Sequence, residues 1–181
     1  MTVAAQHALP PGSRGWCVAL ACALEASAPK PGNVHPLVEY PDLSHAELVA
    51  AGAVIAAVLD AAASRRLGTT IRAAVEASRR VTRSNANLGI VLAMAPLAAV
   101  PADAVPTPAA AKAVLATLDA ADARDCYAAI AVARPGGMGS RDRWDVAGEP
   151  PADLLAAMRD AADRDQKIGR ASCRERVCHN V

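Results

Sequence analysis

A cation, an amide and an imidazole follow closely on one another in Pro29-Lys30-Pro31-Gly32-Asn33-Val34-His35, where an apolar helix carrying Glu25 stops. Pro29 and Pro31 fix their own φ and push Ala28 and Lys30 toward extended backbone, so the helix should end by about Ala28. Gly32 lets backbone approach a ligand closely. Lys30 supplies a point charge, Asn33 a donor and an acceptor, and His35 a group that titrates near neutral pH. This chemistry suits an anion, although Pro-Lys-Pro-Gly is equally the composition of an ordinary solvated turn.

Two later stretches concentrate polar residues in the same way. Thr82-Arg83-Ser84-Asn85-Ala86-Asn87-Leu88-Gly89 places two amides at the start of an apolar run. A helix start there would offer free N–H groups and partial positive charge to a phosphate. On the plainer reading Asn85 merely caps the helix and Asn87 faces water. Arg134-Pro135-Gly136-Gly137-Met138-Gly139, with Asp145 beyond it, offers either a close backbone approach or a flexible connection. No complete P-loop or dinucleotide fingerprint is present.

The elements that must carry these loops are helical. Of 181 residues, 53% are hydrophobic but only 2% aromatic, with no Phe. The apolar content is therefore mostly Ala, Val and Leu, which favours packed helices over sheets and predicts an all-α, single multi-helix domain. About seven helices are expected over residues 13–166, after a disordered start at 1–12. Trp16, Leu20 and Leu24 recur at intervals of four in the first. Ser44-His45-Ala46-Glu47 is a capping box opening a helix through about Arg65, and Gly68 to Val81 follows. Asn85 opens a helix that Pro96 bends or ends. Thr107-Pro108 starts Ala109 to Asp119. Asp122 to Arg134 and Ala152 into Gln166 complete the set.

Composition also narrows the partners. A net charge of +1 gives no basic field for nucleic acid, and two Trp and two Tyr offer few surfaces on which bases could stack. The apolar run Leu48 to Leu59 is twelve residues long, short of the roughly 20 that span a bilayer, and reads as a core helix. Pro10, Pro11 and Glu25 sit badly in a signal peptide. Cys17, Cys22 and Cys126 make no disulfide framework, which fits a reducing cytoplasm. Residues 167–181 look foreign to the fold: Ile168-Gly-Arg-Ala-Ser-Cys-Arg-Glu-Arg-Val177 resembles a sequencing adapter read as coding sequence, so the natural chain is expected to differ after about Gln166.

Read in order, several motifs resemble one family. They are Glu25 with Pro29-Lys30-Pro31-Gly32, Asp42-Leu43, Ser84-Asn85-Ala86-Asn87-Leu88-Gly89, Tyr127-Ala128-Ala129-Ile130, Pro135-Gly136-Gly137-Met138-Gly139, Asp145-Val146 and Arg164-Asp165. The family is that of the triphosphoribosyl-dephospho-coenzyme A synthases, which make the prosthetic-group precursor of citrate lyase and malonate decarboxylase. The resemblance implies a transferase in which a hydroxyl of dephospho-coenzyme A attacks the ribose anomeric carbon of ATP and adenine leaves. It further implies Mg2+ on the triphosphate and a carboxylate beside the developing positive charge. By position, Lys30, Gly32, Asn33 and His35 would contact the nucleotide. Glu25 and Asp42 would serve as metal ligands or base, and Asn85, Asn87 and Gly89 would meet ribose or phosphate. Gly136, Gly137, Gly139 and Asp145 would cover the nucleotide. Glu25 could instead be a solvated helix terminus, and Asp42 the cap of a short turn. Better-known members carry a basic or imidazole side chain where this chain has Ala86, Asn87 and Leu88, which leaves the acceptor open. The expected partners are small-molecule nucleotides, with a homodimer as the assembly. Against this stand a different nucleotide N-glycosyl transferase or hydrolase, and a non-catalytic helical interaction module.

Overall fold

The computed structural model describes residues 9–30, 33–136, 140 and 142–162. Among these, seven α-helices follow in order: α1 Arg14–Ser27, α2 His45–Asp60, α3 Leu67–Val81, α4 Leu88–Ala98, α5 Pro108–Leu115, α6 Ala120–Ala133 and α7 Leu154–Ala162, with a short 3-10 turn at Ala62–Ser64. The described residues contain no strand, only the isolated bridges His35–Val38 and Tyr40–Leu43. The all-α expectation holds.

Close approaches at glycines set how the helices run. A Cβ on Gly15 would meet Ala56 O and Asp60 Cβ, and one on Gly52 would meet Cys22 Cβ at 2.6 Å, so α1 and α2 are antiparallel and nearly touching. Asp60 fixes their far end by accepting the Gly15 N–H at 2.7 Å. At α3 and α6, Gly68 lies against the Asp122 backbone and Thr69 donates to Asp125, which aligns these two helices in parallel. Arg14 donates to the Ala98 carbonyl at 2.7 Å and to that of Val100, tying the start of α1 to the end of α4. These pairings gather the C-termini of α1, α3 and α6 and the N-termini of α2 and α4 at one end of the bundle. The three polar loops all emerge there.

The core is built from Val18, Cys22, Ile55, Leu59, Ile71, Val75, Val91 and Cys126 with many alanines. Burial pushes the Cys22 thiol up to about 11 and that of Cys126 up to about 12. Both are free, as is the exposed Cys17. A second, smaller cluster of Ala26, Val34 and Leu48, with Leu43, Val49 and Ala86 packed against it, sits at the loop end. It joins the first loop to the second.

Several expectations are corrected. Trp16, Leu20 and Leu24 face outward, and α1 packs through Gly15, Val18, Cys22 and Ala26, because the contact with Gly52 admits only small side chains. The second helix ends at Asp60, not near Arg65, since its last turn tightens into the 3-10 turn. The fourth continues through Pro96 to Ala98; in a last turn the missing N–H forfeits a single bond. The fifth stops at Leu115, because Asp119 turns away to cap α6 with its carboxylate on the Ala121 and Asp122 N–H groups. By length and composition alone His45–Ser64 could cross a bilayer, yet α2 buries Leu48, Ile55 and Leu59 against its neighbours.

Candidate functional site

The loop end of the bundle is assembled from two helix starts, of α2 and α4, and three helix ends, of α1, α3 and α6. Ser44 caps α2: its hydroxyl accepts the Glu47 N–H at 3.2 Å, and its own N–H and hydroxyl donate to Glu47 Oε2, each at 2.9 Å. These bonds from Ser44, aided by Arg83, hold the Glu47 carboxyl below its ordinary value despite the opposing charge of Asp42. The capping box read from the sequence is therefore present, and it places Asp42, Glu47 and Arg83 in one electrostatic neighbourhood.

The first and second loops meet. Ser84 donates its hydroxyl to Asp42 Oδ2 at 2.9 Å across forty-two residues of sequence. Lys30 is ion-paired with Glu25, so the expected phosphate cation and the expected carboxylate presently neutralise one another. Asn33 reaches back to the Glu25 carbonyl at 3.4 Å, and His35 accepts the Leu37 N–H on Nδ1 at 3.3 Å, bracing its own turn. Gly32 lies outside the described residues.

The two amides of the second loop have different fates. Asn85 accepts the Leu88 N–H on Oδ1 at 3.3 Å, which is the capping role foreseen for it. Asn87 does not face water. It is 2% exposed, and neither its Nδ2 nor its Oδ1 finds a hydrogen-bond partner. The spacing Asn87, Val91, Ala95, Ala98 places it on the buried stripe of α4, at the end nearest the loops. Gly89 lies in that helix's first turn, where N–H groups lack intrahelical partners.

The third loop leaves α6 at the same end through a left-handed Arg134. Tyr127, buried on α6, donates its hydroxyl to the Trp144 carbonyl at 2.9 Å, and Arg143 lies 3.8 Å over the Trp144 ring. Burial, and then Asp145, raise the Tyr127 phenol. Asp145 accepts the Ala147 N–H at 2.8 Å, shaping a turn. Gly136 is exposed with open space where a Cβ would stand, and Gly137 and Gly139 lie outside the described residues. Among the described residues no three of His, Cys, Asp and Glu gather around a metal position.

A groove of about 520 Å³ lies at the opposite end of the bundle, lined by Arg65, Arg66, Val100, Pro101, Val114 and Asp122 among others. Its polar corner is self-satisfied: Arg66 pairs with Asp119 and with Asp122 at 3.0 Å, and Asp122 also accepts the Gly68 N–H. Arg65 and Thr117 are the other polar residues of its lining, and the rest is leucine, alanine, valine and proline. Among the described residues the buried side-chain atoms without a hydrogen-bond partner, on His45 and Asn87, lie at the loop end, and the candidate site is placed there.

A model of the ATP:dephospho-CoA triphosphoribosyl transferase family, CitG, matches residues 12–172, a span that encloses all three loops. The chain belongs to this family. No curated protein and no solved structure matches it. As a CitG-family chain it falls among transferases that act on ATP and a coenzyme A precursor. The sequence presents His45 only as a member of the capping box, and the structure sets it apart. Its Nε2 is buried without a partner, and the signal was its spacing from Leu48 and Gly52 on the inner face of α2.

Proposed function

We propose that this protein transfers the triphosphoribosyl group of ATP to dephospho-CoA, with release of adenine, at the loop end of the bundle. The carrying observation is Asn87. A buried amide with no partner costs about 1–3 kcal/mol, and a fold retains such a cost most readily where a ligand repays it. It stands at the start of α4, where helix polarity favours the oxygens of a phosphorylated ribose.

Around it the other groups divide the work. Lys30 would exchange Glu25 for the triphosphate, a better partner for a point charge. Asp42, released from Ser84, or Glu25, released from Lys30, would supply a carboxylate to Mg2+. That ion commonly takes one or two protein carboxylates and completes its shell with phosphate oxygens and water, so two hard oxygen donors suit it. The metal, when bound, would neutralise phosphate charge. The third loop brings Gly136 and Asp145 to the same end, where they would border the nucleotide.

Calorimetry with ATP, with and without Mg2+, tests this beside Lys30→Ala, followed by chromatographic detection of adenine with dephospho-CoA as acceptor. Magnesium-dependent binding weakened about tenfold in the variant, equal to about 1.4 kcal/mol, is expected, together with adenine release. A folded protein that gives no heat with ATP refutes the reading. ATP binding with adenine released equally well without dephospho-CoA would reassign the activity to hydrolysis.

A further inference from the structure

The buried side-chain atoms of the described residues that lack a hydrogen-bond partner belong to two residues only, His45 and Asn87. Both occupy the top of the bundle interior. His45 continues the buried stripe of Leu48, Gly52 and Ile55 on α2, and Asn87 that of Val91 and Ala95 on α4. Leu48, one turn from His45, and Ala86, next to Asn87, pack in the same small cluster with Val34. Each orphaned group thus belongs to a residue that neighbours this cluster in its own helix or loop, at the end where the first loop packs.

The groups expected to act as base are already engaged. Glu25 is paired with Lys30, and Asp42 accepts from Ser84. His45 is different. Its backbone N–H donates to Glu39 at 3.0 Å, which anchors the residue, while Nε2 is left facing inward with nothing to bond. A neutral imidazole nitrogen without a partner can accept a proton and pass it on.

We infer that His45 is the proton carrier of the transfer reaction, an inference that rests on the function proposed above. The acceptor's hydroxyl oxygen bonds to the ribose anomeric carbon. The bond from that carbon to the adenine nitrogen breaks, and its electron pair leaves with adenine. The hydroxyl proton passes to His45 Nε2 and from there to the departing adenine, which leaves neutral. Asn87, at the start of α4, would hold a ribose oxygen.

The test measures adenine release from ATP in the presence of dephospho-CoA, using the full chain, with calorimetry of Mg2+-ATP alongside. His45→Ala is expected to slow release about 100-fold or more, with about tenfold restored by added imidazole, while the Kd for Mg2+-ATP stays within about twofold. His45→Gln keeps a hydrogen-bonding side chain but cannot carry a proton, and should be as slow as His45→Ala. A glutamine variant turning over at the wild-type rate, or an alanine variant whose loss imidazole does not relieve, would overturn the role and leave His45 a packing residue. Should wild-type protein fail to bind ATP, the proposed function falls and this role with it. Normal binding with unaltered turnover in both variants removes only the role of His45.

Discussion

Replacing Asn87 with alanine should make the protein more stable and less able to bind nucleotide. Alanine is the smaller side chain, so the change forces no clash and opens a void of roughly 25 Å³, worth about 0.6 kcal/mol at the usual cavity rate. Asn87 is 2% exposed and its amide is unpartnered on both sides. Its side chain makes no capping bond, so no cap is lost, and its φ of −133° is open to alanine. What the substitution removes is the desolvation cost of the unsatisfied amide, about 1–3 kcal/mol. For a chain of this size each kcal/mol moves Tm by about 2–4 °C. Less the cavity cost, the net gain is about 0.4–2.4 kcal/mol, and the expected rise is about 1–10 °C, read by thermal unfolding and checked by the urea midpoint at unchanged slope.

Asn85 supplies the contrast. Its Oδ1 accepts the Leu88 N–H, so Asn85→Ala should destabilise by about 1 kcal/mol, as loss of a cap does. Calorimetry with Mg2+-ATP on Asn87→Ala should show affinity falling about tenfold or more, a loss of about 1.4 kcal/mol of binding. Stability gained where binding is lost marks a residue kept for a ligand. If Asn87→Ala instead destabilises by about 1 kcal/mol or more, beyond the cavity cost and on the scale of a lost buried hydrogen bond, a buried water satisfies the amide in solution. The observation that carries the proposed function then fails.

Other consequences are more local. Gly68→Ala would drive a Cβ to 2.6 Å from the Asp122 carbonyl oxygen; it should cost about 1–3 kcal/mol in urea unfolding as overpacking between α3 and α6, whereas Gly136→Ala, with open space around it, should leave stability unchanged. The Glu47 carboxyl is held below its ordinary value of 4.5, so its contribution is fully present above pH 4.5 and is lost as pH falls through the lower folded value; Glu47→Gln should therefore lie below wild type at pH 7, and urea midpoints should converge as the pH drops into that range. Of the described thiols, exposed Cys17 should alkylate with iodoacetamide at pH 8, while Cys22 and Cys126, pushed up to about 11 and about 12 by burial, should react only after unfolding; fast labelling of either by peptide mapping would show that the core opens readily.

Local signals in the chain were sound where one turn of backbone decides the outcome. Ser44 with Glu47, Thr107 before Pro108, and Asn85 before Leu88 all act as their residue types suggest, because a cap needs only its own neighbours. Asp119 was read as the end of one helix and is the start of the next. Asp122, three residues on, completes a box with it, so the signal was present but unused. The inner face of α1 was not legible. Trp16, Leu20 and Leu24 carry the spacing of a buried stripe, yet the partner at that face is Gly52, and only the α1–α2 distance shows that Cys22 and Ala26 are the residues that fit.

The same distinction bears on the site. Residue types pointed to the three loops, and the helix directions bring all three to one end, with Ser84 and Asp42 joining two of them. Type and spacing alone could not separate Asn85 from Asn87, two amides two residues apart. Helical period separates them once α4 has a buried side: Asn85 lies outside the helix and serves its first N–H, while Asn87 falls in line with Val91 and is carried inside. His45 follows the same rule on α2, three residues before Leu48. Polar side chains that extend an apolar stripe beyond its last hydrophobic residue are drawn into the interior by the packing of that stripe. There they are either paired or waiting for a partner, and in this bundle the unpaired ones stand at the end where Lys30, Asp42 and Ser84 converge.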